Sequence, residues 1–243
     1  MMPAMKPSSD PRTNRLLAAL PDTEWRRWLP LLEPAHLALS QIIYGSGSPL
    51  THAYFPTTAI VSMLYVMNDG ASAEIAVIGW EGMVGISLFM GGGSTPSRAV
   101  VQNDGQCFRI KAETLKAEFE RSPAVSHLLL CYTQALISQM TQTAACNRHH
   151  SLDQQLCRWL LLSLDRHAGN DLVMTRKLIS NMLGVTDKKM TQGAIKLQDA
   201  GLIRYADGRI TVLDRPGVEK RTCECYQVVK NEYDRLLPQE QLS

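Results

Sequence analysis

Turn-forming clusters divide the first half of the chain so closely that no long helix can cross it. Gly45-Ser-Gly-Ser-Pro49, Asn68-Asp-Gly70, Gly79-Trp-Glu-Gly82, Gly91-Gly-Gly-Ser94 and Asn103-Asp-Gly105 each supply residues that tolerate positive φ or preset a turn. Between them lie the β-prone runs Ala59 to Val66, Ala73 to Ile78, Ala99 to Val101 and Cys107 to Ile110. Short strands at near-regular spacing predict an antiparallel β jelly roll or barrel over residues 36 to 111. Ahead of it, Asn14 to Leu32 fits short helical turns broken by Pro21 and Pro30, and residues 1–13, rich in Pro, Ser and Met, read as a disordered lead.

The period then switches. Pro123 suits a first helical turn after Ser122, and nothing breaks the chain until about Cys146. Val125, Leu129, Tyr132, Leu136 and Met140 recur at three to four residues along a helix about 35 Å long. Such a seam between two modules predicts homodimerisation through these five residues, with packing on the chain's own barrel as the alternative. Ser151 and Gln154 form a Ser-x-x-Gln capping box ahead of a helix that buries Leu156, Trp159, Leu160 and Leu164.

Charge separates the two halves. The chain of 243 residues carries a net +2, but residues 1–147 hold 10 Lys and Arg against 11 Asp and Glu, while residues 148–243 hold 15 against 12. Thr175 to Arg209 alone has seven basic and three acidic residues, a net +4, whereas no Lys or Arg occurs between Arg27 and Arg98. A polyanion is therefore expected to meet the second half.

That basic stretch reads as two helices joined by a tight turn. Thr175 caps the first, Leu178, Ile179 and Met182 face inward, Gly184 permits the turn, and Thr186 or Asp187 caps a second helix with Met190, Ala194 and Leu197 inward. Lys188, Lys189, Thr191, Gln192 and Lys196 are left outward, with Arg176 in the same basic segment. Lys and Gln can read base edges, and Thr and Lys suit phosphates. Asp207-Gly208 then turns a hairpin flanked by Arg204 and Arg209, which completes a winged helix-turn-helix against double-stranded DNA. The fold class is α+β: an N-terminal jelly roll, a long dimerisation helix and a C-terminal winged helix-turn-helix. The expected domains are a sensor over 14–122, the helix over 123–147 and the DNA-binding part over 148–243.

Met174 to Val185 and Leu197 to Ile203 resemble the DNA-binding segment of the Crp/Fnr family of bacterial transcription regulators, and the resemblance extends to His52-Ala-Tyr-Phe-Pro56, Gly82-Met-Val-Gly85, Ala145-Cys-Asn-Arg148 and Cys223-Glu-Cys-Tyr226. The resemblance implies a cyclic-nucleotide-binding-like sensor domain, a palindromic operator, RNA polymerase as a partner and an unknown small-molecule effector. It also implies an effector pocket at Gly85, Ile86, Arg98 and Ala99. Cyclic-AMP-binding members place a Glu on the ribose and an Arg-Ser or Arg-Thr pair on the cyclic phosphate; Gly85-Ile86-Ser87 and Arg98-Ala99 lack the carboxylate and the hydroxyl. Each hydrogen-bonding group left unsatisfied costs about 1 to 3 kcal/mol, so tight cyclic-AMP binding is not expected. Arg98 can instead pair with Glu74 or Glu81. The N-terminal cysteine cluster of the oxygen-sensing members is missing, since no Cys precedes Cys107.

Cys146, His149 and His150 form a C-x2-H-H arrangement, and Cys223-x-Cys225 follows much later. Cys146, His149, Cys223 and Cys225 would make a Cys3His zinc site if the fold brought them together, but C-x-C is an unusual zinc spacing and free Cys is often merely buried. The expectation is no metal and no cofactor. An enzyme is not expected either: Gly91-Gly-Gly93 lacks the Lys-Ser/Thr of a phosphate loop and the sparse His residues of the first half lack a motif. The alternative to a DNA-binding regulator is a ligand-sensing or protein-interaction module without DNA affinity. No apolar run reaches about 18 residues, so no membrane partner and a cytoplasmic location are expected.

Overall fold

The computed structural model describes residues 10–167 and 169–237. The predicted disordered lead falls partly outside these residues; its last part is ordered, because the Asp10 side chain caps a 3-10 turn at Pro11–Thr13. Two short helices follow, α1 (Arg15–Ala18) and α2 (Asp22–Trp28), with Pro21 as the N-cap of the second. Asn14 anchors this cap on the body: its amide donates to the Pro56 and Gly82 carbonyls, both at 2.8 Å.

Seven antiparallel strands make two sheets, β1 (Glu33–Leu37), β2 (Ile42–Tyr44), β3 (His52–Pro56), β4 (Ile60–Val66), β5 (Ser72–Ile78), β6 (Arg98–Asn103) and β7 (Gly105–Lys111). One sheet has the order β1-β7-β3 and the other β2-β6-β4-β5. The jelly roll is thus a two-layer sandwich, with Phe55, Ile60, Ile78 and Ile110 fully buried in it. Gly82 is required at its edge, since a Cβ there would lie 2.5 Å from the Tyr132 ring.

Helix α3 (Ala112–Arg121) covers the sandwich, with Phe119 stacked on Phe89 at 4.9 Å. The long helix α4 (Pro123–His149) starts with Ser122 capping Val125 N–H and Pro123 in the first turn. Helix α5 (Leu152–Leu164) carries both halves of the Ser151/Gln154 capping box. After β8 (Asp171–Val173) come α6 (Arg176–Leu183), α7 (Asp187–Asp199), β9 (Ile203–Ala206) and β10 (Arg209–Val212), then α8 (Arg215–Arg221) and α9 (Cys225–Leu236). The small sheet has the order β8-β10-β9.

One hydrophobic core runs through both halves, because α6 packs on β5 and α9 packs on α4. A buried polar chain lies at that seam: Ser62 donates to Glu74 at 2.6 Å, and Gln102 donates to Ser163 of α5 at 2.8 Å. Burial pushes the Glu74 carboxyl up to about 7, so it is largely protonated below neutrality. No helix among the described residues is long and apolar enough to cross a membrane.

Candidate DNA interface and sensor pocket

Each helix of the 176–199 segment starts on a threonine. The Thr175 hydroxyl accepts from Leu178 N–H and the Thr186 hydroxyl from Lys189 N–H, and Ser180 bonds Asp187 across the turn. Gly184 sits at φ +63, the left-handed conformation that ends α6 without strain. Met190, Ala194 and Leu197 are buried under α7. The opposite face of α7 carries Lys188, Lys189, Gln192, Ile195 and Lys196 into solvent. Beside it, Asp207 (φ 52) and Gly208 (φ 70) turn the β9–β10 wing with Arg204 and Arg209 exposed.

The predicted DNA residues belong to α6, α7, their N-caps and the β9–β10 wing, and they have two kinds of role. Thr175 and Thr186 use their hydroxyls as caps, and the Thr191 hydroxyl donates to the Asp187 carbonyl at 2.8 Å. Lys196 and Arg209 have acidic neighbours, Asp153 at 4.0 Å and Asp171 at 3.5 Å. Arg176 opens α6, but its side chain lies outside what the structure describes. Ile195 was not singled out from sequence: it is 51% exposed on the solvent face of α7, and an apolar side chain can contact a thymine methyl. Its signal was available, as an apolar residue between the buried positions 194 and 197.

A cavity at the edge of the jelly roll holds about 340 Å³ and is lined by Tyr44, Met63, Tyr65, Ile75, Ile86, Ser87, Met90 and the 92–97 loop, with Met140 of α4 reaching in. Of the four effector residues expected by resemblance only Ile86 lines it; Gly85, Arg98 and Ala99 do not. For Arg98 the reason is the pleat: it pairs with Leu64 on β4, whereas the cavity is faced by Met63 and Tyr65; Ala99 pairs with Met63 and shares that face, but does not line the cavity. Arg98 does not pair with Glu74 or Glu81 either. Glu74 bonds Ser62, Glu81 meets Arg166 at 2.7 Å, and the Arg98 Nε is buried without a hydrogen-bond partner among the described residues. Among the described residues no charged side chain lines the cavity.

The expected dimer seam is corrected as well. Val125, Leu129, Tyr132 and Leu136 are fully buried in the chain's own core, and Tyr132 donates to the Met83 carbonyl at 2.7 Å, so these four cannot face a partner. Met140 faces the jelly-roll cavity. The outward face of α4 instead carries His127, Leu130, Gln134, Ile137, Thr141, Ala144 and Arg148, at steps that alternate between three and four. Leu130 and Ile137 are 52% and 42% exposed.

The cysteines also regroup. Cys146, Cys223 and Cys225 meet as a small buried cluster apart from the main core, and the histidine beside them is His150; His149, the one expected, is exposed.

Residues 35–122 match the cyclic nucleotide-binding domain family and residues 154–221 the Crp-like helix-turn-helix domain family. Among solved structures, a Crp/Fnr-family transcriptional regulator from Eubacterium rectale is similar at TM-score 0.68 and 19% identity, over 87% of this chain and 97% of that one. FixK2 from Bradyrhizobium japonicum is similar at TM-score 0.66 and 17% identity, over 79% and 98%. The c-di-GMP-responsive regulator CLP from Xanthomonas campestris is similar at TM-score 0.63 and 15% identity, over 80% and 100%. No curated protein sequence matches the chain. With both domains matched in this order on one chain, and with these structural neighbours, the protein belongs to the Crp/Fnr family of DNA-binding transcription regulators.

Proposed function

We propose that the protein acts as a homodimer on a palindromic operator, with residues 14–122 as sensor, the helix from 123 to 147 as dimer element and residues 148–243 as DNA-binding part. The observation that carries this is α7, buried on one face and lined on the other by Lys188, Lys189, Gln192 and Lys196 beside the Arg204 and Arg209 wing. In this reading α7 enters the major groove, Gln192 reads adenine, and Lys196 and the wing arginines hold phosphate. Two copies joined along α4 would set their α7 helices about 34 Å apart, one helical turn of DNA.

Gln192→Ala is expected to change the consensus recovered by binding-site selection, whereas Lys196→Ala should weaken all sequences alike and lower the salt slope of binding by about one. An unchanged Gln192→Ala consensus would dispose of the base-reading assignment. Absence of salt-dependent DNA affinity would favour the protein-interaction module instead.

The sensor reading rests on Met140, which extends from α4 into the cavity, so that a bound effector would touch the dimer element directly. An uncharged, largely apolar lining suits a neutral apolar molecule. A cyclic nucleotide would bury its phosphate there unpaired, at a cost of several kcal/mol. Calorimetry with cyclic AMP is expected to show no binding in the low-micromolar range, and such binding would overturn the assignment. RNA polymerase completes the proposed set of partners.

A further inference from the structure

The end of α4 and the junction between α8 and α9 carry four donor atoms that neither the DNA interface nor the sensor cavity uses. Cys146 lies in the last turn of α4, His150 caps that helix, Cys223 follows α8, and Cys225 opens α9. Their ligand atoms all lie within 4.8 Å of one another. The Cys146 and Cys223 sulfurs are 3.6 Å apart, and the Cys225 sulfur is 3.4 Å from His150 Nδ1. A disulfide needs about 2.05 Å, so the close sulfurs are not bonded. A tetrahedral ion with bonds of about 2.3 Å to sulfur and about 2.0 Å to nitrogen spaces its ligands about 3.8 Å (S to S) and about 3.5 Å (S to N). Both of these pairs fit those edges.

The surroundings are built for the same purpose. His150 Nε2 stands 3.3 Å from a Glu224 carboxylate oxygen, which orients the ring so that Nδ1 faces the sulfurs, the arrangement by which carboxylates hold metal-binding histidines. Gln142 Nε2 donates to the Cys225 sulfur at 3.1 Å. Arg158, buried nearby and bonded to Thr143 at 3.1 Å, supplies positive charge next to Cys146. Three thiolates and one divalent ion carry a net −1, which that guanidinium offsets. The C-x-C spacing works because Cys223 sits in the turn and Cys225 on the helix, so both sulfurs converge.

We propose that Cys146, His150, Cys223 and Cys225 bind one zinc ion as a closed, structural Cys3His centre. The three thiols release their protons to solvent as the ion binds, and no electron is transferred. The ion would join the α4–α5 elbow to the α8–α9 junction and so fix the angle at which the DNA-binding part leaves the long helix. The assignment does not depend on the operator or the effector.

Full-length protein purified without a histidine tag under reducing conditions is expected to contain about one zinc per chain by elemental analysis. Cobalt exchanged into the site should give thiolate charge-transfer absorption and tetrahedral visible bands. Cys223→Ser should lose the metal and Cys131→Ser keep it. Because Cys223→Ser risks misfolding, Glu224→Gln, which leaves all four ligands in place, is the second variant: chelator competition should show about 10- to 100-fold weaker zinc binding. Wild-type protein that takes up neither zinc nor cobalt after anaerobic reconstitution, or equal zinc affinity in Glu224→Gln and Cys223→Ser compared with wild type, would overturn the proposal.

Discussion

Arg166→Met is expected to lower the melting temperature by about 10 °C, and the double replacement Glu81→Gln/Arg166→Met to recover most of that loss. Arg166 Nε lies 2.7 Å from the Glu81 carboxylate, and the two side chains are 6% and 7% exposed. Its Nη1 also donates to the Leu162 carbonyl at 2.7 Å, and Glu81 accepts from Gly79 N–H, so both ions are held by further hydrogen bonds. Burial would lower the Arg166 pKa; the facing carboxylate outweighs it and raises it. Removing the guanidinium strands a buried carboxylate, which costs about 3 to 5 kcal/mol, whereas replacing both charges removes that penalty. At about 2 to 4 °C per kcal/mol for a chain of this size, the single variant reaches the predicted shift. Thermal unfolding followed by circular dichroism decides it, and equal losses in the single and double variants would show that the stranded charge is not the cause. The pair joins the sensor turn at Gly79–Gly82 to the end of α5, so its loss is also expected to loosen the seam between the two halves.

What could be read from the sequence is what local chemistry determines. The capping box at Ser151, the threonine caps, the left-handed Gly184 and the Asp207-Gly208 wing each depend on residues within a few positions of one another, and each formed as expected. Strand β1 was missed because Glu33-Pro-Ala-His-Leu37 looks unlike a strand; the proline is tolerated because β1 lies at the sheet edge. Helix α3 went unread although Leu115 and Phe119 stand four apart among charged residues, the spacing of a helix face. Facing was the hardest part. On α4 two stripes are available, and the richer one was taken by the chain's own core. At Arg98 the family resemblance pointed to a ligand, while the strand pleat turns that position away from the cavity.

Leu130→Glu combined with Ile137→Glu is expected to give a monomer of 27.0 kDa by light scattering, where the wild type gives twice that mass. On α4 these two residues stand seven apart, and Ala144 continues the step, the 3.5-residue repeat of a two-helix seam. His127, Gln134 and Thr141 fill the alternate positions, which gives the seam polar sites that fix its register. Two like charges at its centre repel their copies across the axis, and because both side chains are already solvated in one chain, the melting temperature of the monomer should change little. Leu136→Glu makes the contrast: that side chain is fully buried, so its replacement should unfold the protein instead of dividing it. Loss of the second subunit removes the linked second half-site, and operator affinity should fall by about 100-fold or more with no change in any DNA contact. A double variant that remains a dimer would place the contact away from this face of α4. A monomer that keeps full operator affinity would show instead that one helix-turn-helix suffices.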